Sequence, residues 1–432
     1  MNLSKTASRR SIKSRRPREG YLYVAVLFTS LMIAAVTAAS LLQSTAIYQA
    51  TAMQSDHREA VRVAESELHR IAAWMQSDLT WRDGMNDTFS PWRYDVGYSL
   101  RSKYTDSDGS VGDNELDDVT VTVHARVGNS EAAIEGVLRP HLTHHPVLDY
   151  RCTSTKDFEV RDDSSVVADG KLQCGKNAQT NATGYLIAES FSYANSIDSS
   201  LIVRGDLTQS TVVEPVGDLI QPYVDIGTEI KISSIPKHGG KYCIEDVLLS
   251  ATSNPYGPVD PNGIYWIDVP GEKFAIKRCR LECVLAFKKS GEINLQEGVV
   301  WDHPAYCSAT ILANEKIKIE SLTQTLDESA ISVNLNPASS PYRGTDSNTT
   351  STDIYPTTIR GFIYSSGNIE ITAPADNHRV QLSGAILCET FKSNALLSIS
   401  HLPSLSTAPP LGLEVVDGVH FVHGSVRQIE TP

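Results

Sequence analysis

Between Tyr21 and Asp83 the chain runs without a Gly or Pro, and the first part of that run, Tyr21 to Ser55, carries no charge. An apolar stretch of this length exceeds the ~20 residues needed to cross a bilayer, so the pattern predicts a membrane-spanning helix. Beyond Ser55 the helical period persists but becomes one-sided. Val61, Ala64, Leu68, Ile71 and Met75 step by threes and fours along one stripe, with Glu59, Arg62, Glu65, Glu67 and Arg70 around it. At ~1.5 Å per residue, a helix from Tyr21 to Leu79 would reach roughly 90 Å, far more than a crossing requires. Its second half therefore needs a protein surface. That surface is either the chain's own domain or further copies of the helix, and the stripe is read here as an assembly face.

A basic leader precedes the span. Lys5, Arg9, Arg10, Lys13, Arg15, Arg16 and Arg18 stand against the single acid Glu19, which keeps the amino terminus in the cytoplasm and sends everything after the span outside it. A secretory signal cut near Ala38-Ala39-Ser40 would have an apolar core of only ~7–15 residues, shorter than this helix.

The basic leader ending in Gly20, the apolar helix, and the amphipathic run Glu59-Ala60-Val61-Arg62-Val63-Ala64-Glu65-Ser66-Glu67-Leu68 together resemble the amino terminus of type IV pilins, nearest to minor pilins of the pilus-assembly class. The resemblance covers residues 1 to about 80. It implies cleavage by a prepilin peptidase after Gly20, methylation of the new terminus at Tyr21, and assembly with other pilin-like subunits or with itself. It also implies a bacterial inner-membrane, single-pass protein that enters a pilus or pseudopilus. Two positions depart from the family pattern: Tyr21 stands where Phe or Met is usual, and Ala25 stands where most members carry Glu. Minor pilins and one class of secretion pseudopilin can lack that Glu, so Ala25 points to an accessory subunit.

The pattern then changes to strands. Asp118 to Val127 alternates at period two, Gly128-Asn129 marks a turn, and Glu131 to Leu138 returns as a partner, which predicts a hairpin. Before it, Asp106, Asp108, Asp113, Glu115 and Asp117 alternate around glycines, a pattern that would suit calcium but lacks the full spacing of an EF-hand loop. Calcium is the only cofactor this sequence suggests, and a solvated acidic turn is the simpler reading.

From Arg151 on, aliphatic phrases recur. Ile293, Ile317 and Ile369 begin three of them and Leu397 a fourth; Gly361-Phe362-Ile363-Tyr364 recurs as Gly384-Ala385-Ile386-Leu387. A unit slightly over 20 residues predicts stacked coils, that is, a β-solenoid resembling right-handed β-helices and the bactofilin group; a β-sandwich is the alternative. The predicted fold class is thus mainly β with one long N-terminal α-helix. Its segments are a leader 1–20, a transmembrane and amphipathic helix 21–80, a small hairpin unit 81–150, and a solenoid-like external domain 151–432. Insertions near 215–272 and 324–358 are read as embellishments on the stack.

Composition narrows the function classes. The formal net charge is −13, and setting aside the leader's net six positive charges leaves the external part near −19, so no nucleic-acid partner is expected. Seven cysteines lie beyond the span, where disulfides are permitted. Cys152 with Cys174 and Cys279 with Cys283 are candidate pairs, and the Cys-Arg-Leu-Glu-Cys spacing is not that of a zinc knuckle. Enzymes built on β-helices need converging carboxylates or a bound cation. Asp302 with His303, and the cluster Asp376, Asn377, His378 and Arg379, are the nearest candidates. Neither shows a repeat-related partner, so no catalytic activity is expected. The expected function is a structural subunit, a minor pilin or pseudopilin displaying the solenoid. The runner-up is a single-pass envelope protein whose β-helix binds or processes glycans.

Overall fold

The computed structural model describes residues 19–78, 80–82, 85, 87–215, 217–320, 325–372 and 379–430. The chain divides into two units, Met1–His141 with Val416–Pro432, and Leu142–Val415. Mainly β structure with one long N-terminal helix is what the sequence predicts; the return of the C-terminal segment to the first unit is not.

In the first unit, helix α1 (Glu19–Ser77) is continuous. Every residue from Tyr21 to Ser55 is exposed, and burial begins beside the first charge, Asp56. Along the bare part, hydroxyls fold back onto the helix. Thr29 Oγ1 donates to Ala25 O at 3.0 Å, Thr37 Oγ1 to Ile33 O at 2.7 Å, and Thr51 Oγ1 to Ile47 O at 2.8 Å. Each polar side chain satisfied in this way places no unpaired donor toward the surroundings, as hydrocarbon demands.

From Ala60 on, α1 lies on an antiparallel sheet of β1 (Arg93–Asp95), β2 (Tyr98–Thr105), β3 (Val119–Val127) and β4 (Ser130–His144). The predicted hairpin is β3–β4, with Val127 opposite Ser130 across Gly128-Asn129. Two C-terminal strands, Glu414–Phe421 and Arg427–Ile429, complete the sheet beside β4. Ala64, Leu68, Ile71 and Met75 are buried against Val121, Val123 and Ala125 of β3 and Ile134 and Leu138 of β4. This corrects the assembly reading of the stripe: these residues, with Val61 packed at the margin, are the core of the chain's own unit. Glu67 sits beside them at 8% exposure. Burial pushes its carboxyl up, and the Arg70 and Arg93 guanidiniums at 2.7 and 3.2 Å outweigh that and hold it below the usual range.

The second unit is built from strands paired in parallel with strands about one coil away. Ile293 pairs with Ile317, Ile317 with Ile369, Ile369 with Phe391, Phe391 with Phe158, and Phe158 with Ala178. The first three are the residues whose recurrence the sequence displays, and Gly361 pairs with Gly384 as their phrases predict. Leu397 belongs to a different ladder, opposite Val380 and Val166. The chain turns a corner after Ser393, so the 22-residue step from Ile369 ends on Phe391. Among the described pairings of this sheet, only Lys237–His238 with Lys241–Glu245 is antiparallel, which is not a sandwich arrangement.

The order of the stack differs from the order of the chain. From strand Tyr150–Ser154 the coils proceed outward in one direction to Leu201–Gln209. The chain then restarts at the opposite end, where Thr228–Glu229, Lys241–Glu245 and Leu248–Ser250 pair with the coil 264–282. From there it returns coil by coil until Arg379–Ser393 lies against Tyr150–Ser154 and Phe158–Val160. Residues 215–272 therefore contribute strands to the stack itself rather than embellishing it, and Leu201–Gln209 lies at one end of it. The seam between the two halves is filled by aromatic rings, with Phe158 4.7 Å from Phe391 and 5.7 Å from Phe191 between centroids.

The second insertion carries a short helix, Glu328–Ile331, and a ribbon of Leu326–Asp327 with Ile354–Tyr355. Two buried charges hold it. Glu328 accepts from Leu335 N, Asp353 N and Tyr355 Oη at 2.6, 3.1 and 2.8 Å. Arg280, 2% exposed, donates to the carbonyls of Leu335, Ser340 and Pro341 at 2.6, 2.7 and 2.9 Å. Each buried charge is thereby matched with several partners, the condition on which burial is tolerated.

Candidate functional site

The surface most distinctive in its chemistry is the bare part of α1. The helix Tyr21–Ser77 is long and apolar enough to cross a membrane, and its most apolar stretch has no buried residue. Tyr21 is 79% exposed at its start, and Gly20 lies within the first helical turn. The leader 1–18 and Leu79 lie outside the described residues. Because the apolar stripe is occupied by β3 and β4, the described part of α1 beyond Ser55 presents mainly polar side chains outward, such as Arg58, Arg62, Glu65 and Arg70, and the extended apolar surface left open lies in the uncharged part.

The acidic loop is organised around a cation that the chain supplies. Arg82, 5% exposed, donates to the backbone carbonyls of Val111, Asn114 and Asp117 at 3.4, 2.8 and 2.5 Å. Its guanidinium stacks over Trp81 at 4.9 Å. Of the five acids named from the sequence, Asp106, Asp113 and Asp117 converge to within 4.8 Å of one another, whereas Asp108 and Glu115 stand apart. Asp106 also shapes the turn, its Oδ1 accepting from Gly109 N and Ser110 N at 2.7 and 2.9 Å. A calcium ion would compete with Arg82 for the carbonyl oxygens that such an ion prefers. Arg82→Met is expected to cost about 3 kcal/mol of unit stability by orphaning those carbonyls. Hydrogen–deuterium exchange over residues 106–118 reads the result; unchanged protection there would contradict this role.

No cysteine pair forms. All seven cysteines are buried thiols. Strand offset explains why Cys152 and Cys174 miss each other: Cys152 faces Leu172, and Cys174 faces Ser154. Cys279 and Cys283 follow one another along a single coil rather than facing across two. Burial, foremost, pushes the thiols of Cys152, Cys279 and Cys283 well above their usual range, so none is a nucleophile at neutral pH.

The catalytic candidates have structural occupations. Asp302 pairs with Arg360 at 3.2 Å, and His303 Nε2 lies 2.9 Å from Ser404 Oγ. Asp376, Asn377 and His378 lie outside the described residues. Sequence reading missed Glu282, which stands in register with Asp302 on the adjacent coil. Burial, then the charge of Asp302, pushes its carboxyl up against the pull of Arg280. It lines a cleft of about 430 Å³ with Asn262, Tyr306 and Ser340. The 20-residue interval from Glu282 to Asp302 equals the local coil step, and that was the available signal.

No protein-family model and no curated protein sequence matches this chain. Among solved structures, a competence-associated pilin, ComZ from Thermus thermophilus, superimposes with a TM-score of 0.27 at 7% identity, covering 87% of this chain and 96% of that one, an overlap too slight to carry an argument about fold or function.

Proposed function

We propose that this protein is a membrane-inserted structural subunit of the pilin-like kind, a minor pilin or pseudopilin. The observation that carries the reading is the coincidence of two boundaries. The uncharged run ends at Ser55, and the helix stays bare up to that same residue before entering its own β unit. A helix that only anchored its domain would need ~20 bare residues; this one has 35. The surplus suits lateral packing against other such helices. Assembly in this reading uses Tyr21 to Ser55, not the buried stripe. The parallel coils of the second unit are read as a β-solenoid that serves as a spacer or display surface, with no catalytic role. The bacterial inner membrane is its site before assembly, with the C-terminal region outside the cytoplasm and prepilin peptidase acting at Gly20.

Mass spectrometry of the mature amino terminus tests this reading. A methylated chain beginning at Tyr21 is expected, and Gly20→Val should leave the leader attached. An intact Met1 in the unaltered protein would overturn the assembly reading in favour of a simple anchor.

A second reading, an anchored envelope protein acting on glycans, is favoured by one observation, the Glu282–Asp302 juxtaposition beside the cleft that Glu282 lines.

A further inference from the structure

We propose that His238, Cys243 and Glu245 form a binding site for a divalent cation of the zinc class. Independently of any pilin role, these three side chains are brought together by a tight hairpin inside the second unit. Gly239 and Gly240 both have positive φ, +57° and +79°, the pair of conformations that a two-residue type I′ turn requires. That turn sets His238 opposite Lys241 and Lys237 opposite Tyr242. Cys243 and Glu245 follow Lys241 at steps of two, so all three share a face with His238, and His238 stands diagonally across from Cys243.

The donor atoms of the three residues lie within 4.8 Å of one another. Bonds of ~2.0–2.3 Å in a tetrahedron separate ligand atoms by roughly 3.3–3.7 Å, so a cation needs only a small closing of this cluster. The donor set is one nitrogen, one sulfur and one oxygen, a mixture that favours zinc-like ions over calcium or magnesium. Glu245 is oriented for the task. Its Oε2 is held by Lys277 Nζ at 2.8 Å and Arg278 Nη2 at 3.3 Å, which leaves Oε1 facing His238 Nδ1. The positive charge of Arg278 is itself shared with Asp246 and Glu297, so the pair of cations steers the carboxylate without making the pocket strongly repulsive. Cys243 closes the inner side of the site at 1% exposure, while the His238 side chain is 55% exposed and leaves an approach for the ion and a water. On binding, the Cys243 thiol releases its proton to solvent and the sulfur takes the metal. The contact between His238 and Glu245 is replaced by one bond from each to the ion.

The test uses the full chain extracted in detergent, reduced, stripped with chelator and titrated with cobalt(II). A sulfur-to-cobalt charge-transfer band that saturates at one equivalent and is displaced by zinc is expected. Cys243→Ser should abolish the band, His238→Ala should weaken cobalt affinity about 10–100-fold, and Cys388→Ser, in another coil, should leave it unchanged. Because His238 is at the surface, its variant keeps the test readable even where Cys243→Ser fails to fold. Absence of a sulfur band in the unaltered protein, or an undiminished band in the His238 variant, would overturn the assignment.

Discussion

Phe158→Ala is expected to destabilise the second unit by about 3–5 kcal/mol, measured by urea denaturation. The ring is fully buried and lies between Phe391 and Phe191, at the seam where the returning coil meets the first one. Removing it forfeits the transfer free energy of a large apolar side chain. It also opens a cavity that neighbouring rings, fixed on strands hydrogen-bonded on both sides, cannot collapse to fill. Among the described residues, the strand pairings that join the two halves are those of Tyr150–Ser154, Phe158–Val160 and Ser165–Ala168 with Arg379–Ser393 and Leu396–Ser400, so the unfolding transition is also expected to broaden or split. A loss under about 1 kcal/mol would mean that the seam is not closed as described.

The second large effect is expected at Gly384. Its φ is +144°, and a Cβ there would come within 2.0 Å of the carbonyl oxygen of Gly361 on the coil below. The obstacle is backbone, which cannot rotate away. Gly384→Ala therefore combines a strained conformation with a clash between coils and should cost about 3 kcal/mol or more. Gly257, in the same unit, with an unremarkable φ and only the Asn254 side-chain nitrogen nearby at 3.8 Å, is the matched control, and Gly257→Ala should change stability by less than about 1 kcal/mol. Thermal unfolding of both variants decides between them; equal midpoints would refute the close approach.

Much of this architecture is legible in the chain because it is written locally. The absence of charge from Tyr21 to Ser55 delimits the bare helix to the residue, since nothing but composition sets what hydrocarbon accepts. The β3–β4 hairpin is announced by alternation and by Gly128-Asn129. The Ile293, Ile317 and Ile369 ladder is visible because each coil buries an aliphatic residue on the last. What escapes the sequence is nonlocal. A repeat tells how far one coil lies from the next, but not that the stack is entered in its middle. The pairing of Ile386 with Cys152 has no periodic signature. Arg82 is an isolated basic residue in sequence, and only the folded loop shows that the acids gather around it. The stripe of α1 was correctly placed as one face, yet periodicity cannot distinguish a face meant for the chain's own sheet from one meant for another subunit. The disulfide expectation failed because a spacing of cysteines carries no information about strand offset.

The middle entry into the stack also sets a timetable. The edge of the coil Tyr150–Val160 is among the first parts of its unit to be synthesised, yet its partners on one side include Glu389, 233 residues downstream of Lys156. At ~5–20 residues per second, translation alone leaves that row of backbone donors and acceptors without its neighbour for roughly 12–45 seconds. An open parallel edge of this kind invites pairing with the wrong strand. That edge therefore stays open longer during synthesis than the coils stacked outward from it, whose partners follow about one coil later.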